Sequence, residues 1–156
     1  MKKTITLGEK EISFKSSAAT NILFKRTFKE DITVLLQSYT KDMNELQKMQ
    51  KKITDIRSDT NKTQAEILSA MGEIMQSETY LKAASFQSDT LPKLAFIMYL
   101  EANETVENIF NKLNESQYLM WLMTIDQDDL SKVTAEVLTI WREGARTSSK
   151  PKNANG

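Results

Sequence analysis

The sequence predicts a mainly α fold, with a small N-terminal β-hairpin packed on an irregular bundle of about six helices. Two patterns support this prediction. Near the N-terminus, polar and apolar residues alternate with a period of two, which is typical of strands. Further along the chain, apolar residues recur three and four positions apart, as on one face of an α-helix. A chain of 156 residues can bury a proper core. We therefore expect a single helical domain over residues 1–146.

The hairpin is predicted within residues 1–15. Thr4–Leu7 and Glu11–Phe14 alternate in polarity, and Gly8-Glu9-Lys10 forms the turn between them because Gly8 can adopt a positive φ. The apolar side chains of both strands then share one face: Ile5, Leu7, Ile12 and Phe14. An isolated hairpin is marginally stable, so we expect this face to lie on another element.

Two helices are predicted next. Ser16-Ser17 offers an N-cap for a helix that ends at Phe28. Asp31 can cap a long helix from Ile32 to about Ile56. The apolar positions of the long helix form a heptad-like seam, broken only at Gln50: Ile32, Leu36, Tyr39, Met43, Leu46 and Ile53. This seam either packs inside the protein's own bundle or pairs with a partner helix.

The middle of the chain contains a polar segment and then two helices. Residues 55–62 are polar and could form an internal linker. Thr63 and Glu66 match a capping box that starts a helix, and a break follows over residues 85–88. The next helix begins at Asp89 or Thr90, with Pro92 in its first turn. Its residues 94–100 are apolar on every side, so we expect this helix to be central and covered all round.

The C-terminal part is predicted to hold three more helices. Two short ones cover residues 106–113 and 118–123, and the loop at residues 126–129 can cap the last one. Gly144 is a plausible stop for that last helix. Residues 147–156 have no apolar anchor and are predicted to form a disordered tail.

Composition argues against most enzyme chemistry. The chain has no cysteine, so it lacks a nucleophilic thiol. It also has no histidine, which is the commonest general base and the commonest transition-metal ligand. Its four glycines leave no glycine-rich phosphate cradle. The acidic loop that starts at Asp126 lacks the glycine and glutamate of a calcium-binding loop. We expect no enzymatic activity, no cofactor and no metal.

Charge is uneven along the chain although it sums to zero. Residues 1–62 carry 13 Lys and Arg against 8 Asp and Glu, whereas residues 63–130 carry 3 against 11. These are either ordinary solvated faces or surfaces that pair with each other. No apolar run reaches the roughly 20 residues that span a bilayer, and no targeting segment is visible, so we expect a cytoplasmic protein without membrane contact.

The N-terminal region resembles the tail assembly chaperones of long-tailed bacteriophages. In that family a hairpin leads into a helix with recurring Ala, aromatic, Lys and acidic positions, matched here by Lys15, Ala18, Ala19, Phe24, Lys25, Phe28 and Asp31. The segments 91–100 and 117–141 are similar to the family's middle and terminal helices. The resemblance implies the short, non-frameshifted product of such a gene. That product would bind the tape measure protein, keep it soluble, recruit tail tube subunits in the host cytoplasm and be absent from the mature virion.

Methionines and aromatic residues on helical faces are the candidate partner contacts. Methionine is flexible and polarizable, which suits surfaces that accept varied apolar partners, although it also fills cores. The candidate partner-binding residues are Phe24, Phe28, Tyr39, Met43, Leu46, Met49, Met71 and Met75. The alternative function is a small homo-oligomeric helical regulator that binds DNA or another protein. It would use the seam to dimerise and the basic N-terminus to contact phosphates, but nucleic acid is the less favoured partner.

Overall fold

The computed structural model describes residues 1–149, with only the backbone of residues 147–149, and it confirms the mainly α prediction. The elements are β1 (Lys2–Leu7), β2 (Lys10–Lys15), α1 (Thr20–Phe28), α2 (Ile32–Ser58), α3 (Gln64–Gln76), α4 (Glu78–Ser85), a π-helical turn (Phe86–Thr90), α5 (Leu91–Asn103), α6 (Val106–Lys112), α7 (Glu115–Leu122) and α8 (Gln127–Ser149). They form two compact units. We call residues 1–32 and 89 onward the hairpin unit, and residues 33–88 the helical unit.

The N-terminal hairpin has the predicted apolar face. β1 and β2 are antiparallel with Ile5 opposite Ile12, so these two side chains and those of Leu7 and Phe14 lie on one side. Ile5, Leu7 and Phe14 are buried and Ile12 is half-buried. Leu7 pairs with Lys10, which makes the turn one residue shorter than predicted. Gly8 occupies its first position with φ +62°, a conformation that glycine adopts without strain.

Helix α5 is the centre of the hairpin unit, as the sequence predicts. It packs against β2, α1, α6, α7 and α8, and Pro92 lies in its first turn. Leu94, Ala95, Ile97 and Met98 are fully buried. Phe96 and Leu100 lie on the opposite side of the helix and are only 2% exposed, so neighbours cover every side of α5.

An aromatic cluster lies between α5, α1 and α7. The ring of Tyr118 lies 5.3 Å from that of Phe28 and 5.6 Å from that of Phe96, which also lies 5.7 Å from Trp121. Burial of the phenol, with a smaller contribution from the negative charge of Asp89, raises the pKa of Tyr118 to about 12. The phenol therefore stays neutral at physiological pH.

Helix α1 begins later than predicted because the two serines have other partners. The Ser16 hydroxyl is buried and donates to the carbonyl of Trp141 at 3.5 Å, while the Ser17 hydroxyl donates to the Glu101 carboxylate. Thr20 Oγ1 accepts from the backbone N–H of Ser17 at 2.9 Å and donates to Glu101 at 2.6 Å. The predicted N-cap at Ser16-Ser17 is wrong, since these serines connect α1 to α5 and α8.

Helix α8 does not stop at Gly144, so that prediction is wrong. The helix continues to Ser149, through the first residues of the predicted tail, and residues 150–156 lie outside the described part of the chain. Gly144 instead packs closely on Ser16. A Cβ atom at Gly144 would lie 2.5 Å from Ser16 Oγ and 2.6 Å from Ser16 Cβ. A larger side chain at this position would therefore collide with Ser16, which directly follows β2.

The helical unit confirms one predicted helix start and adds a break. Thr63 Oγ1 accepts from the N–H of Glu66 at 3.2 Å, so α3 begins where the sequence predicts. The helix predicted after Thr63 is divided at Ser77, whose hydroxyl accepts from the N–H of Tyr80 at 3.2 Å and donates to the carbonyl of Ile74 at 2.6 Å. The first residues of the predicted 55–62 linker are helical, because α2 extends to Ser58.

Candidate functional site

The helical unit covers its apolar side chains less completely than the hairpin unit does. Its best-covered residues are Leu46, Ile53, Ala83 and Phe86, which keep 4–8% of their surface exposed. Helix α3 has no buried residue at all. Since apolar side chains are stabilised when they are removed from water, this unit leaves apolar surface that another molecule could cover.

A groove lies within this unit, with α2 on one side and α3 and α4 on the other. Its volume is about 570 Å³. We call it the α2–α3 groove, and the residues that line it are Met43, Leu46, Gln47, Gln50, Ile53, Thr54, Arg57, Met71, Ile74, Met75, Tyr80, Ala83, Ala84 and Gln87. On α2 they extend from Met43 to Arg57, which at the helical rise corresponds to a length of about 21 Å. The groove is therefore long enough for about four turns of a second helix.

Four of the predicted contact residues meet in this groove. Met43 and Leu46 line it from α2, and Met71 and Met75 line it from α3. Leu46 is nearly covered, whereas Met75 keeps 57% of its surface exposed. The groove thus has an apolar floor and three flexible methionine side chains that can adapt to an occupant.

The other predicted contact residues lie elsewhere. Met49 lines a second, smaller groove of about 290 Å³ in the same unit. The Tyr39 ring stacks on Phe86 with ring centres 4.2 Å apart, and its hydroxyl accepts from Gln87 Nε2 at 2.9 Å. Phe24 and Phe28 are buried in the core of the hairpin unit, with their rings 5.2 Å apart. Phe24 and Phe28 are therefore core residues and do not belong to an exposed partner-binding surface.

The polar part of the groove lining was missed by sequence reasoning. Gln47, Gln50, Thr54 and Arg57 line the groove from α2. The one available signal was Gln50, which interrupts the apolar seam and here lies exposed at the groove. The contributions of α4 could not be recognised because the break at Ser77, which separates α4 from α3, carries no proline or glycine.

Arg57 is the single charged residue among those that line the α2–α3 groove. Its Nη2 donates to the thioether sulfur of Met71 at 3.3 Å. Sulfur is a weak acceptor, and within residues 1–149 Arg57 makes no ion pair with a carboxylate. Most donors of this guanidinium are therefore available to another molecule.

The hairpin unit also exposes apolar side chains, on α7 and α6. Leu119 and Met120 on α7, and Met123 directly after it, are 56–86% exposed. On α6, Phe110 is half exposed, and the Arg26 guanidinium carbon lies 5.3 Å from its ring centre. In this unit the exposed side chains lie outside a well-buried core. In the helical unit, the apolar side chains between the helices are themselves partly exposed.

Neither a metal site nor a membrane span is found in the described residues. Among residues 1–149, no group of three or more Asp and Glu side chains is arranged to hold a metal ion. Asp129 in the acidic segment instead forms an ion pair with Lys132 at 3.7 Å. None of the described helices is both long and apolar enough to cross a bilayer.

Comparisons with protein-family models, curated proteins and solved structures gave no match.

Proposed function

We propose that the protein is a bacteriophage tail assembly chaperone. In this proposal it binds the tape measure protein, keeps that long helical protein soluble and recruits tail tube subunits during tail assembly. It acts in the cytoplasm of the infected host and is absent from the mature virion. The observation that carries the proposal is the α2–α3 groove, an elongated apolar surface in a unit that does not seal its own interior.

The dimensions and lining of the groove fit the capture of a helix. An amphipathic helix binds such a groove through apolar side chains spaced three and four residues apart. Methionine side chains accept different apolar shapes at low cost, which suits a partner that presents many similar segments in turn. Met43, Met71 and Met75 provide this adaptability on both walls of the groove.

The family resemblance supports the proposal independently of the groove, because the residues that carry it lie in the hairpin unit. Its aromatic positions, Phe24 and Phe28, are buried in the hairpin unit. Lys15, the last residue of β2, is exposed, and so are Ala18 and Ala19 between β2 and α1. The residues that carry the resemblance therefore belong to the hairpin and the helix that follows it. The apolar groove is a separate argument for binding, because none of these residues lines it.

The proposal can be tested by co-expression with the tape measure protein of the same phage. The fraction of tape measure protein in the supernatant is measured with the wild-type chain, with Met75→Lys and with Leu68→Lys. Met75 and Leu68 are on the same helix and are 57% and 58% exposed, but only Met75 lines the α2–α3 groove. We expect Met75→Lys to lower the soluble fraction severalfold and Leu68→Lys to leave it near the wild-type level. An unchanged soluble fraction with the wild-type chain, or equal losses with both variants, would contradict the proposal.

A further inference from the structure

We propose that the α2–α3 groove selects an amphipathic helix that carries a carboxylate in its first turn. This carboxylate pairs with Arg57, so the bound helix runs antiparallel to α2. The inference rests on the proposed function, because it specifies the chemistry and direction of the helix that the same groove captures.

The state of Arg57 provides the first argument. A guanidinium offers five N–H donors in a planar fork that matches a carboxylate. In the described structure its hydrogen bond goes to the thioether sulfur of Met71, 3.3 Å away. A carboxylate on an occupant would replace this weak acceptor with two charged oxygen atoms. Met71 lines the same groove, so the guanidinium lies beside the apolar surface that the occupant covers.

The rest of the groove lining provides the second argument. Its other polar residues are uncharged, and they are Gln47, Gln50, Thr54, Tyr80 and Gln87. With one cation and no anion in the lining, an acidic occupant gains an attraction that a neutral one does not. A basic occupant meets repulsion at the Arg57 end. Charge complementarity therefore discriminates between helices of equal apolar character.

The position of Arg57 sets the direction of the bound helix. It is the basic residue in the last turn of α2, next to the carbonyl groups at that helix end. A carboxylate is stabilised in the first turn of a helix and destabilised in the last turn. When the first turn of the occupant lies at Arg57, negative and positive groups alternate. The α2 carbonyls face the guanidinium, the guanidinium faces the carboxylate, and the carboxylate faces the free N–H groups of the occupant's own first turn. The reverse direction would place the carboxylate against the occupant's own carbonyl end.

The test uses synthetic peptides and the full chain. The reference peptide is an amphipathic helix of about 18 residues with leucines at helical spacing and one Glu in its first turn. The second peptide has Gln in place of Glu, and the third has the Glu in its last turn. Dissociation constants are measured by fluorescence anisotropy at low and high salt. We expect the reference peptide to bind about fivefold more tightly than the other two at low salt, with the difference shrinking as salt rises.

Two charge variants locate the effect. Arg57→Gln should abolish the preference for the acidic peptide. Lys51→Gln removes one positive charge from the same helix at a residue outside both grooves, and it should leave the preference intact. Equal binding of the Glu and Gln peptides, or a preference that persists in Arg57→Gln, would overturn the inference. Equal binding of the first-turn and last-turn peptides would overturn the proposed direction.

Failure of the inference can be distinguished from failure of the proposed function. If the Gln peptide binds and Met75→Lys weakens it, but Glu adds nothing, the groove captures helices and only the role of Arg57 is wrong. If no peptide binds, or if Met75→Lys has no effect on binding, capture by the groove itself is contradicted. Light scattering of the free protein tests whether a second copy of the chain occupies the groove instead of a partner helix. A dimer that is dissociated by Met75→Lys would show that a second copy fills the groove, and it would overturn the inference.

Discussion

Replacing Gly144 with alanine should destabilise the hairpin unit, even though alanine normally favours a helix. Gly144 is within α8, and a Cβ atom there would lie 2.5 Å from Ser16 Oγ, 2.6 Å from Ser16 Cβ and 3.2 Å from the Ser16 carbonyl oxygen. Ordinary van der Waals contacts are longer than 3.4 Å. Ser16 is only 2% exposed and donates to the carbonyl of Trp141, so it has little room to move away.

Two opposing terms set the size of this effect. Forcing an extra methyl group into a packed interior costs about 1–3 kcal/mol. The change from glycine to alanine in a helix returns about 1 kcal/mol. The terms differ by about 0–2 kcal/mol, and the short approaches to a buried serine place this substitution in the upper half of that range, so we expect the free energy of unfolding to fall by about 1–2 kcal/mol. For a typical urea dependence this lowers the midpoint by roughly 0.5–1 M.

Urea unfolding followed by tryptophan fluorescence measures this loss, because both tryptophans, Trp121 and Trp141, belong to the hairpin unit. Gly72→Ala is the matched control. Gly72 is inside α3, and a Cβ atom there would meet nothing within 4 Å. Gly72→Ala should therefore stabilise α3 by about 0.5–1 kcal/mol, measured by far-UV circular dichroism. The double variant Ser16→Gly with Gly144→Ala should regain part of the lost stability. A Gly144→Ala protein that is as stable as the wild type would refute the steric argument.

Three further substitutions test other parts of the fold. Ile97→Ala, at a fully buried position of α5, should lower the free energy of unfolding by about 2–5 kcal/mol in the tryptophan-detected urea transition. Thr63→Ala removes the hydroxyl that accepts from the N–H of Glu66, and it should cost the first turn of α3 about 1 kcal/mol, seen as faster amide exchange there. Because the pKa of Tyr118 is raised to about 12 in the fold and is near 10 in the unfolded chain, its contribution is present below pH 10 and is lost between pH 10 and 12. After allowance for solvent screening this loss is on the order of 1 kcal/mol, and Tyr118→Phe should remove this part of the alkaline destabilisation in urea titrations at pH 9, 10 and 11. An equal alkaline loss in Tyr118→Phe would assign it to other groups.

Features that depend on neighbouring residues could be predicted from the sequence. The shared face of Ile5 and Ile12 follows from period-two alternation on both sides of a glycine turn. The central position of α5 follows from its all-round apolar surface, and the start of α3 follows from the pair Thr63 and Glu66. In each case the pattern and the structural cause lie within a few residues of each other.

Features that depend on distant contacts could not be predicted in this way. Ser16 and Ser17 look like helix caps, but their hydroxyls bond to Trp141 and Glu101, which are far away in the sequence. Gly144 looks like a helix stop because glycine often follows the last turn of a helix. Its close approach to Ser16 cannot be recognised from the neighbouring residues in the sequence. The candidate site shows the same division. Its methionines were recognised from helical spacing, whereas Arg57 and the α4 wall became apparent only once the helices were placed together.

Capture of a tape measure helix in the α2–α3 groove is tested most directly by site-specific photo-crosslinking. A photoreactive amino acid is placed either at Gln50, which is exposed and lines the groove, or at the adjacent Lys51, which is exposed outside it. Successive residues are separated by about 100° around a helix, so the two probes face different directions on the same turn. With the tape measure protein co-expressed, we expect a covalent product from Gln50 and little or none from Lys51. Equal crosslinking from both positions, or none from Gln50 while the proteins still co-purify, would contradict binding in the groove.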